Sequence, residues 1–226
     1  MNNVLIIGYG YWGPKLSRNF SNSSNFNLHP ICDLSNTKLK EAKKTYPNIN
    51  IYSNYKKAIK NNSFKLVVIS TPTITHFKIA KYALSQNINV LVEKPLCLSI
   101  KEHLYLNRLA KKNNLKIFVD YPFVHSGSIN FVKELINKKK YGKIKSIESY
   151  REQAPVRKDT NVFWDLSIHD ISIIIYLLSE KKISEIKTVN SGNKNTNFKK
   201  ISIFIKYKNT DVFIKNNWDS PTKVRL

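Results

Sequence analysis

The chain has 226 residues, of which 42% are hydrophobic and 12% aromatic, and this composition excludes a disordered polypeptide in favour of one large domain or two small ones. Two cysteines in apolar settings are too few for a disulfide framework, and no apolar stretch approaches membrane-spanning length. Because the N-terminal apolar run is also too short for a signal peptide, we expect a cytoplasmic protein with no membrane partner.

The net charge of +23 raises the alternative of a nucleic-acid-binding protein. The excess is almost entirely lysine, however, whereas base readout relies on the guanidinium fork of arginine. The lysines are spread along the chain, and the one dense run, residues 138–140, lies at a predicted helix end, where cations complement the helix dipole. We therefore expect a solvated basic surface that helps to attract anionic substrates, and no nucleic-acid partner.

The chain begins with a short apolar run, residues 4–7, that predicts a buried strand. It ends in a G-x-G-x-x-G motif, and a predicted helix at residues 14–20 follows. In this setting Gly8 permits the tight turn, Gly10 lets a pyrophosphate approach the backbone, and Gly13 lets helix and strand pack closely. The motif predicts a dinucleotide site, with Tyr11 and Trp12 flanking the cofactor near its pyrophosphate. The alternative is an ordinary glycine-rich turn.

An acidic residue, Asp33, follows the second predicted strand, 25 positions beyond Gly8. A carboxylate at this place accepts hydrogen bonds from both hydroxyls of the adenosine ribose and repels a 2′-phosphate, so NAD is favoured over NADP. Lys38 and Lys40 nearby are compatible with a phosphate. The alternative is that Asp33 only begins the turn into the next helix, which Ser35 or Asn36 would cap.

Strands and helices alternate through the first half of the chain. The predicted strands are residues 4–7, 26–31, 49–52, 66–69, 90–92 and 115–119, and the predicted helices are residues 14–20, 38–46, 54–60, 75–84 and 99–110. This alternation predicts an α/β domain of the Rossmann type, a doubly wound parallel sheet spanning residues 1–122. Ligand-binding groups are then expected at the carboxyl ends of the strands.

Polar residues suited to ligand binding follow two of these strands. Thr71, Pro72 and His76 come after the fourth strand, and Glu93 and Lys94 come after the fifth. A lysine at the top of a buried sheet can polarise a hydroxyl or carbonyl oxygen. The alternatives are a solvated surface lysine for Lys94, and a first-turn helix residue facing solvent or a loop for His76.

Three motifs together resemble the glucose-fructose oxidoreductase / inositol dehydrogenase / rhizopine-catabolism (Gfo/Idh/MocA) family: Gly8-Tyr9-Gly10-Tyr11-Trp12-Gly13, Thr71-Pro72 with His76, and Glu93-Lys94-Pro95. The resemblance implies NAD(P)-dependent oxidation or reduction of sugars, polyols or related alcohols. It implies that Lys94 contacts the substrate oxygen near the nicotinamide and that the Thr71-Pro72 turn lines the cofactor site, to which we also assign His76 and Glu93.

The alternation ends near Tyr121, and the second half predicts an α+β domain over residues 123–226. A helix at residues 126–138 and an apolar helix ending at residue 178 are combined with strands at residues 143–151, 184–190, 200–207 and 211–218. Strands without parallel crossovers favour a mainly antiparallel sheet. Members of the family usually continue well past residue 226, so we expect an incomplete sheet, and a homo-oligomer is possible but doubtful.

Asp165 and His169 are spaced i, i+4, so on a helix their side chains share one face. A histidine with an orienting neighbour is suited to accepting a proton near neutral pH. The alternatives are a helix N-terminus capped by Asp165 with a packed His169, or half a metal site, for which no third ligand is apparent, so we expect no metal. The resemblance implies that both residues belong to the D-x-x-x-H element that carries the family's catalytic histidine.

Around this element the chain departs from the family pattern in one place. Phe163 and Trp164 stand where a glycine pair often precedes the motif. Residues 157–173 look most like the nucleotide-sugar-type dehydrogenases of the family, which favours a sugar carrying a diphosphate, with Arg157 meeting a phosphate and Trp164 lining the substrate. A surface arginine is the equal alternative for Arg157.

These observations predict an NAD-dependent oxidoreductase that acts on a sugar hydroxyl or ketone, with Lys94, His169 and Asp165 as catalytic residues. The alternative is a non-catalytic sensor or partner subunit that binds NAD(H) on the same fold.

Overall fold

Six parallel strands form the sheet of the first half of the chain. The computed structural model describes residues 2–60, 63–153, 156, 160–179, 182–191, 198–220 and 222–225. These residues divide into two units, Met1–Asp120 and Tyr121–Leu226.

The strands of the first unit are β1 (Asn2–Ile7), β2 (Phe26–Cys32), β3 (Ile51–Tyr52), β4 (Leu66–Ile69), β5 (Asn89–Glu93) and β6 (Ile117–Asp120), in the order β3-β2-β1-β4-β5-β6. The helices between them are α1 (Gly13–Ser21), α2 (Asn36–Thr45), α3 (Tyr55–Lys60), α4 (His76–Ser85) and α5 (Ile100–Lys112). All strand pairs are parallel. The predicted doubly wound parallel sheet is therefore confirmed.

Alternate residues of β1 supply the two cores that cover the sheet. Leu5 and Ile7 belong to the core on one face, and Val4 and Ile6 belong to the core on the other. This is why the strand reads as a continuous apolar run. The strand order reverses between β1 and β4, and such a reversal opens the crevice in which open α/β sheets bind ligands.

Serine caps fix where several helices begin. Ser35 accepts a hydrogen bond from the Lys38 amide at the start of α2, and Ser99 accepts one from the Glu102 amide at the start of α5. Both serines are in extended backbone conformation, as capping requires. The three-residue spacing of Ser99 and Glu102 is typical of such a cap.

The second unit carries a mixed sheet. Its strands are β7 (Ser146–Glu152), β8 (Ile183–Ser191), β9 (Lys200–Tyr207), β10 (Asp211–Asn217) and β11 (Val224–Arg225), in the order β11-β7-β10-β9-β8. Only the β7–β10 pair is parallel among these described strands. Helices α6 (Gly127–Asn137) and α7 (Ile168–Leu178) complete the unit. The mainly antiparallel sheet was predicted, whereas the short strand β11 was not.

Alternation along β9 and β10 builds the core of this unit. Ile203 and Ile214 point inwards and pack with Ile174 of α7 and with Trp218, which is only 1% exposed. A π-helical turn (Phe163–Ser167) leads directly into α7. Within the described residues, no helix combines the length and the apolar character needed to cross a bilayer.

Candidate active site

The turn between β1 and α1 has room for a ligand at one glycine and no room for a side chain at the other two. At Gly8, where φ is +98°, a Cβ atom would lie 2.6 Å from the Ser70 carbonyl oxygen. At Gly13 it would collide with the carbonyl oxygen of Gly8. At Gly10 nothing lies within 4 Å of the added atom. The three glycines therefore fit a pyrophosphate-binding turn, in which two positions must lack a side chain for close packing and one must leave space for the ligand.

The Asp33 carboxylate is held by two backbone amides. Its Oδ2 accepts a hydrogen bond of 2.6 Å from the Tyr9 amide, and its Oδ1 accepts one of 2.7 Å from the Ser35 amide. Each carboxylate oxygen has a second lone pair, so both can still accept from a ligand hydroxyl. Asp33 thus joins the glycine turn to the start of α2 and also faces the crevice.

A cavity of about 390 Å³ opens beside Asp33, which is within the size range of small-molecule sites. The end of β1, the turns that follow β2 and β4, and the first turns of α3 and α4 line this cavity. The lining residues include Gly8, Gly10, Asp33, Leu34, Ser53, Tyr55, Ser70, Thr71, Pro72, Thr75, Lys78 and Ile79. The predicted residues Gly8, Gly10, Asp33, Thr71 and Pro72 are therefore brought together around one space.

Tyr11 and Trp12 form an exposed aromatic pair at the start of α1. Their rings meet edge to face at 5.3 Å, and their side chains are 77% and 43% exposed. The Lys15 ammonium lies 3.2 Å from the centre of the Tyr11 ring and 4.3 Å from that of Trp12. Lys15 was not predicted as a site residue, although a cation in the first turn after a glycine motif complements a phosphate.

His76 ties together the turns that follow β4 and β5. Its Nδ1 lies 2.8 Å from the Pro95 carbonyl oxygen and its Nε2 lies 2.8 Å from that of Thr71. Burial lowers the pKa of His76, and the two backbone carbonyls oppose that shift. The ring is 1% exposed, which excludes the solvent-facing alternative. Direct contact with a cofactor stays a prediction, and the geometry supports a role through the two turns.

Glu93 and Lys94 stand at the carboxyl end of β5. Glu93 is 8% exposed and pairs in register with Asp120 of β6. Burial raises the pKa of Glu93 to about 7, Asp120 acts in the same direction, and Lys94 and Lys15 oppose it. Lys94 is half-buried. A lysine between buried and solvated surroundings, beside a carboxyl group, is suited to stabilising negative charge on a ligand oxygen.

In the second unit, the π-helical turn carries Asp165 and the first turn of α7 carries His169. The Asp165 carboxylate is buried and accepts a hydrogen bond of 3.2 Å from the Trp218 indole N–H. The His169 ring is half-buried and meets the Phe123 ring edge to face at 5.0 Å. π-Helical turns occur frequently at functional sites. Trp164, in the same turn, is half-buried and packs edge to face on Phe163.

A buried polar network beside His169 was missed by the sequence analysis. The Arg151 guanidinium donates two hydrogen bonds to Asp170, of 3.0 and 2.8 Å. The Asn216 amide donates a bond of 2.7 Å to the other oxygen of Asp170. Ser167 in turn donates to Asn216 at 2.5 Å. Asp170 directly follows His169, so the network fixes the first turn of α7. The only sequence signal for this network was the position of Arg151 and Asp170, two charged residues that lie at the ends of apolar runs.

Arg157, predicted to meet a phosphate, lies outside the described residues. Among the residues that are described, no three His, Cys, Asp or Glu side chains are grouped so as to hold a metal ion.

A family of known proteins matches the first unit. The sequence model of the GFO_IDH_MocA family, described as an oxidoreductase family with an NAD-binding Rossmann fold, matches residues 2–121. The chain belongs to this family. Residues Gly8 to Lys94 of the site described above all lie within the match, whereas Asp165 and His169 lie beyond it.

Relatives within the Gfo/Idh/MocA family are distant in sequence. Glucose-6-phosphate 3-dehydrogenase of Bacillus subtilis is 25% identical over 133 residues, which cover 53% of this chain and 38% of that protein. An uncharacterised oxidoreductase of Synechocystis is 29% identical over 97 residues, covering 43% of this chain and 26% of that protein. The chain thus spans between a quarter and two-fifths of the length of these curated relatives.

Solved structures share the fold of both units. GenD2 from gentamicin A biosynthesis, crystallised in complex with NAD, superposes with a TM-score of 0.91 at 18% identity, over 99% of this chain and 67% of that one. The likeness shows the fold of this Gfo/Idh/MocA member. The family match alone, by its description as an NAD-binding Rossmann fold, supports NAD(H) binding by the first unit.

Proposed function

We propose that this protein is an NAD-dependent oxidoreductase that transfers a hydride between the nicotinamide and a hydroxyl or ketone group of a sugar, and that the sugar is linked to a nucleotide. The observation that carries the proposal is the open space at Gly10, bounded by two glycines that admit no side chain and by the Asp33 carboxylate. When bound, the nicotinamide ring supplies or takes up the hydride.

The residues of the first unit bind and select the cofactor. The open face of Gly10 and the positive end of the α1 helix dipole receive the pyrophosphate. Asp33 accepts hydrogen bonds from the ribose hydroxyls, and its negative charge repels a 2′-phosphate, which supports NAD over NADP. Thr71 and Pro72 line the same cavity, and His76 holds their turn in place.

The catalytic work is divided between three side chains. In the oxidation direction, His169 takes the proton of the substrate hydroxyl as the carbonyl forms. Lys94 stabilises the negative charge that develops on the same oxygen. Asp165, fixed by the Trp218 indole, supports the orientation and charge of His169. These roles follow the family's D-x-x-x-H and Glu-Lys-Pro motifs.

The names of similar proteins support a sugar or polyol as the substrate. One relative is a glucose-6-phosphate 3-dehydrogenase, and a structural neighbour is a scyllo-inositol dehydrogenase of Lactobacillus casei with bound NAD(H) and scyllo-inositol. A nucleotide-linked sugar is the finer part of the proposal, and it rests on the resemblance of residues 157–173.

The test is a nicotinamide absorbance assay of the full chain with NAD and a panel of nucleotide sugars, sugar phosphates and free polyols. Lys94→Met and His169→Ala are expected to lose turnover while both retain NADH binding, measured by fluorescence titration. Normal turnover in both variants would contradict the mechanism. Binding of NADH by the wild-type protein without turnover of any substrate would favour the non-catalytic sensor.

A further inference from the structure

Three cationic or aromatic side chains of the second unit converge on the ring of Phe123. The guanidinium carbon of Arg151 lies 4.7 Å from the ring centre, and that of Arg225 lies 5.2 Å from it. The His169 ring meets the same ring at 5.0 Å. The Arg225 guanidinium and the His169 imidazole therefore both lie close to the Phe123 ring. We call Phe123, Arg151 and Arg225 the arginine–phenylalanine cluster.

The two arginines of the cluster differ in how their charge is balanced. Arg151 is 5% exposed and is neutralised by the buried Asp170 carboxylate. Arg225, on β11, is exposed, and among the described residues no carboxylate forms an ion pair with it. Within the described part of the chain, the Arg225 charge is therefore not neutralised by a direct ion pair.

A bound anion would stabilise the positive charge of Arg225. Burial lowers the pKa of Arg225, repulsion from Arg151 acts in the same direction, and attraction to Asp170 opposes both. The Asp170 carboxylate already accepts hydrogen bonds from Arg151 and Asn216, so it balances the charge of Arg225 only weakly. A planar guanidinium stacked on an aromatic ring keeps its N–H groups in a fixed fork, which suits the paired oxygens of a phosphoryl group.

We propose that Arg225 forms a phosphoryl-binding subsite beside His169, and that the substrate therefore carries a phosphate or diphosphate on the sugar that is oxidised or reduced. This inference rests on the proposed role of His169, and it adds a substrate-recognition residue that the sequence analysis did not find. Arg225 and His169 pack against the same Phe123 ring. A substrate whose reacting hydroxyl is hydrogen-bonded to His169 can therefore bring a phosphoryl group within reach of Arg225.

The experiment compares equilibrium binding of three probes to the full chain in the presence of NADH, by isothermal titration calorimetry. The probes are glucose, glucose 6-phosphate and UDP-glucose, so the two phosphorylated probes separate a monoester from a diphosphate. The variants are Arg225→Gln, which removes the charge, and Arg225→Lys, which keeps the charge without the fork. Lys215→Gln is the matched control, because Lys215 is exposed on β10 and its neighbour Asn216 points into the core.

We expect at least one phosphorylated probe to bind the wild-type protein more tightly than glucose does. Arg225→Gln should weaken that probe by about ten- to a hundredfold, since a charge-assisted hydrogen bond is lost, and should leave glucose and NADH binding unchanged. Arg225→Lys should lie between the two, and Lys215→Gln should match the wild-type protein.

Three outcomes would overturn the subsite. They are equal binding of glucose and both phosphorylated probes to the wild-type protein, an unchanged affinity in Arg225→Gln, or an equal loss for glucose and the phosphorylated probe. These readouts need no turnover. The subsite can therefore fail while Lys94→Met and His169→Ala still abolish activity, and the proposed catalysis can fail while the phosphoryl preference remains.

Discussion

Replacing Glu93 with glutamine should make the protein more stable, and more so at higher pH. The carboxyl group of Glu93 is 8% exposed, and burial raises its pKa from 4.5 to about 7. The folded chain therefore holds a proton that the unfolded chain releases above its ordinary pKa. As the pH rises from 4.5 to about 7, unfolding releases a proton, so stability falls across this window and stays reduced above it.

The shift from 4.5 to about 7 corresponds to a loss of about 3 kcal/mol at pH 8 relative to pH 4.5. Glu93→Gln removes this titration while it retains the size of the side chain. Groups that do not interact with Glu93 titrate alike in both proteins, so the difference in their free energies of unfolding reports Glu93 together with the groups coupled to it, Asp120, Lys94 and Lys15. Lys94→Met should move the loss to higher pH, since Lys94 lowers the pKa of Glu93.

The assay is urea unfolding followed by circular dichroism at several pH values between 5 and 8. Glu41→Gln is the control, because Glu41 is an exposed carboxylate of the same unit that pairs with Lys38 on the surface. We expect the stability difference between Glu93→Gln and the wild-type protein to grow by about 2.5 kcal/mol over this range. A difference that stays constant with pH would refute the claim that Glu93 is buried as an acid.

Two further predictions concern other buried or site-lining carboxylates. Asp170→Ala should destabilise the protein by about 3–5 kcal/mol, because the Arg151 guanidinium would remain buried without its partner, whereas Glu41→Ala should cost less than about 1 kcal/mol. Urea unfolding measures both, and similar losses for the two variants would contradict the account of the network. Asp33→Asn should weaken NADH binding and reduce the preference for NADH over NADPH by about tenfold, since the charge that repels a 2′-phosphate is lost. Fluorescence titration with both cofactors measures this ratio, and an unchanged ratio would argue against contact between Asp33 and the ribose.

The sheet of the first unit could be predicted because its signals are local. The apolar run at residues 4–7 feeds two cores at once, and only a strand covered on both faces requires that pattern. The Gly8, Gly10 and Gly13 spacing is informative because the three positions lie in one short turn, in which Gly13 packs against the Gly8 carbonyl and Gly10 is left open. The serine cap of α5 likewise depends on an amide only three residues away.

The features that escaped prediction depend on distant partners. Arg151 and Asp170 are 19 residues apart and meet only once β7 and α7 are packed. The cluster around Phe123 draws on Arg225 of β11, a strand of two residues that no periodicity can indicate. The π-helical turn Phe163–Ser167 was also not predicted. The burial of His76 between two carbonyl oxygens likewise depends on Pro95, which is 19 residues away in the chain.

The most direct measurement of the central claim is NADH binding by Gly10→Val, because this variant fills the space assigned to the pyrophosphate. No atom lies within 4 Å of an added Cβ at Gly10, so the fold should be unaffected and urea unfolding should match the wild-type protein. Gly127→Val is the matched control, since Gly127 also has nothing within 4 Å. We predict that Gly10→Val loses NADH affinity by at least about tenfold while Gly127→Val retains it. Wild-type affinity in a folded Gly10→Val protein would contradict the assignment of this turn as the dinucleotide site.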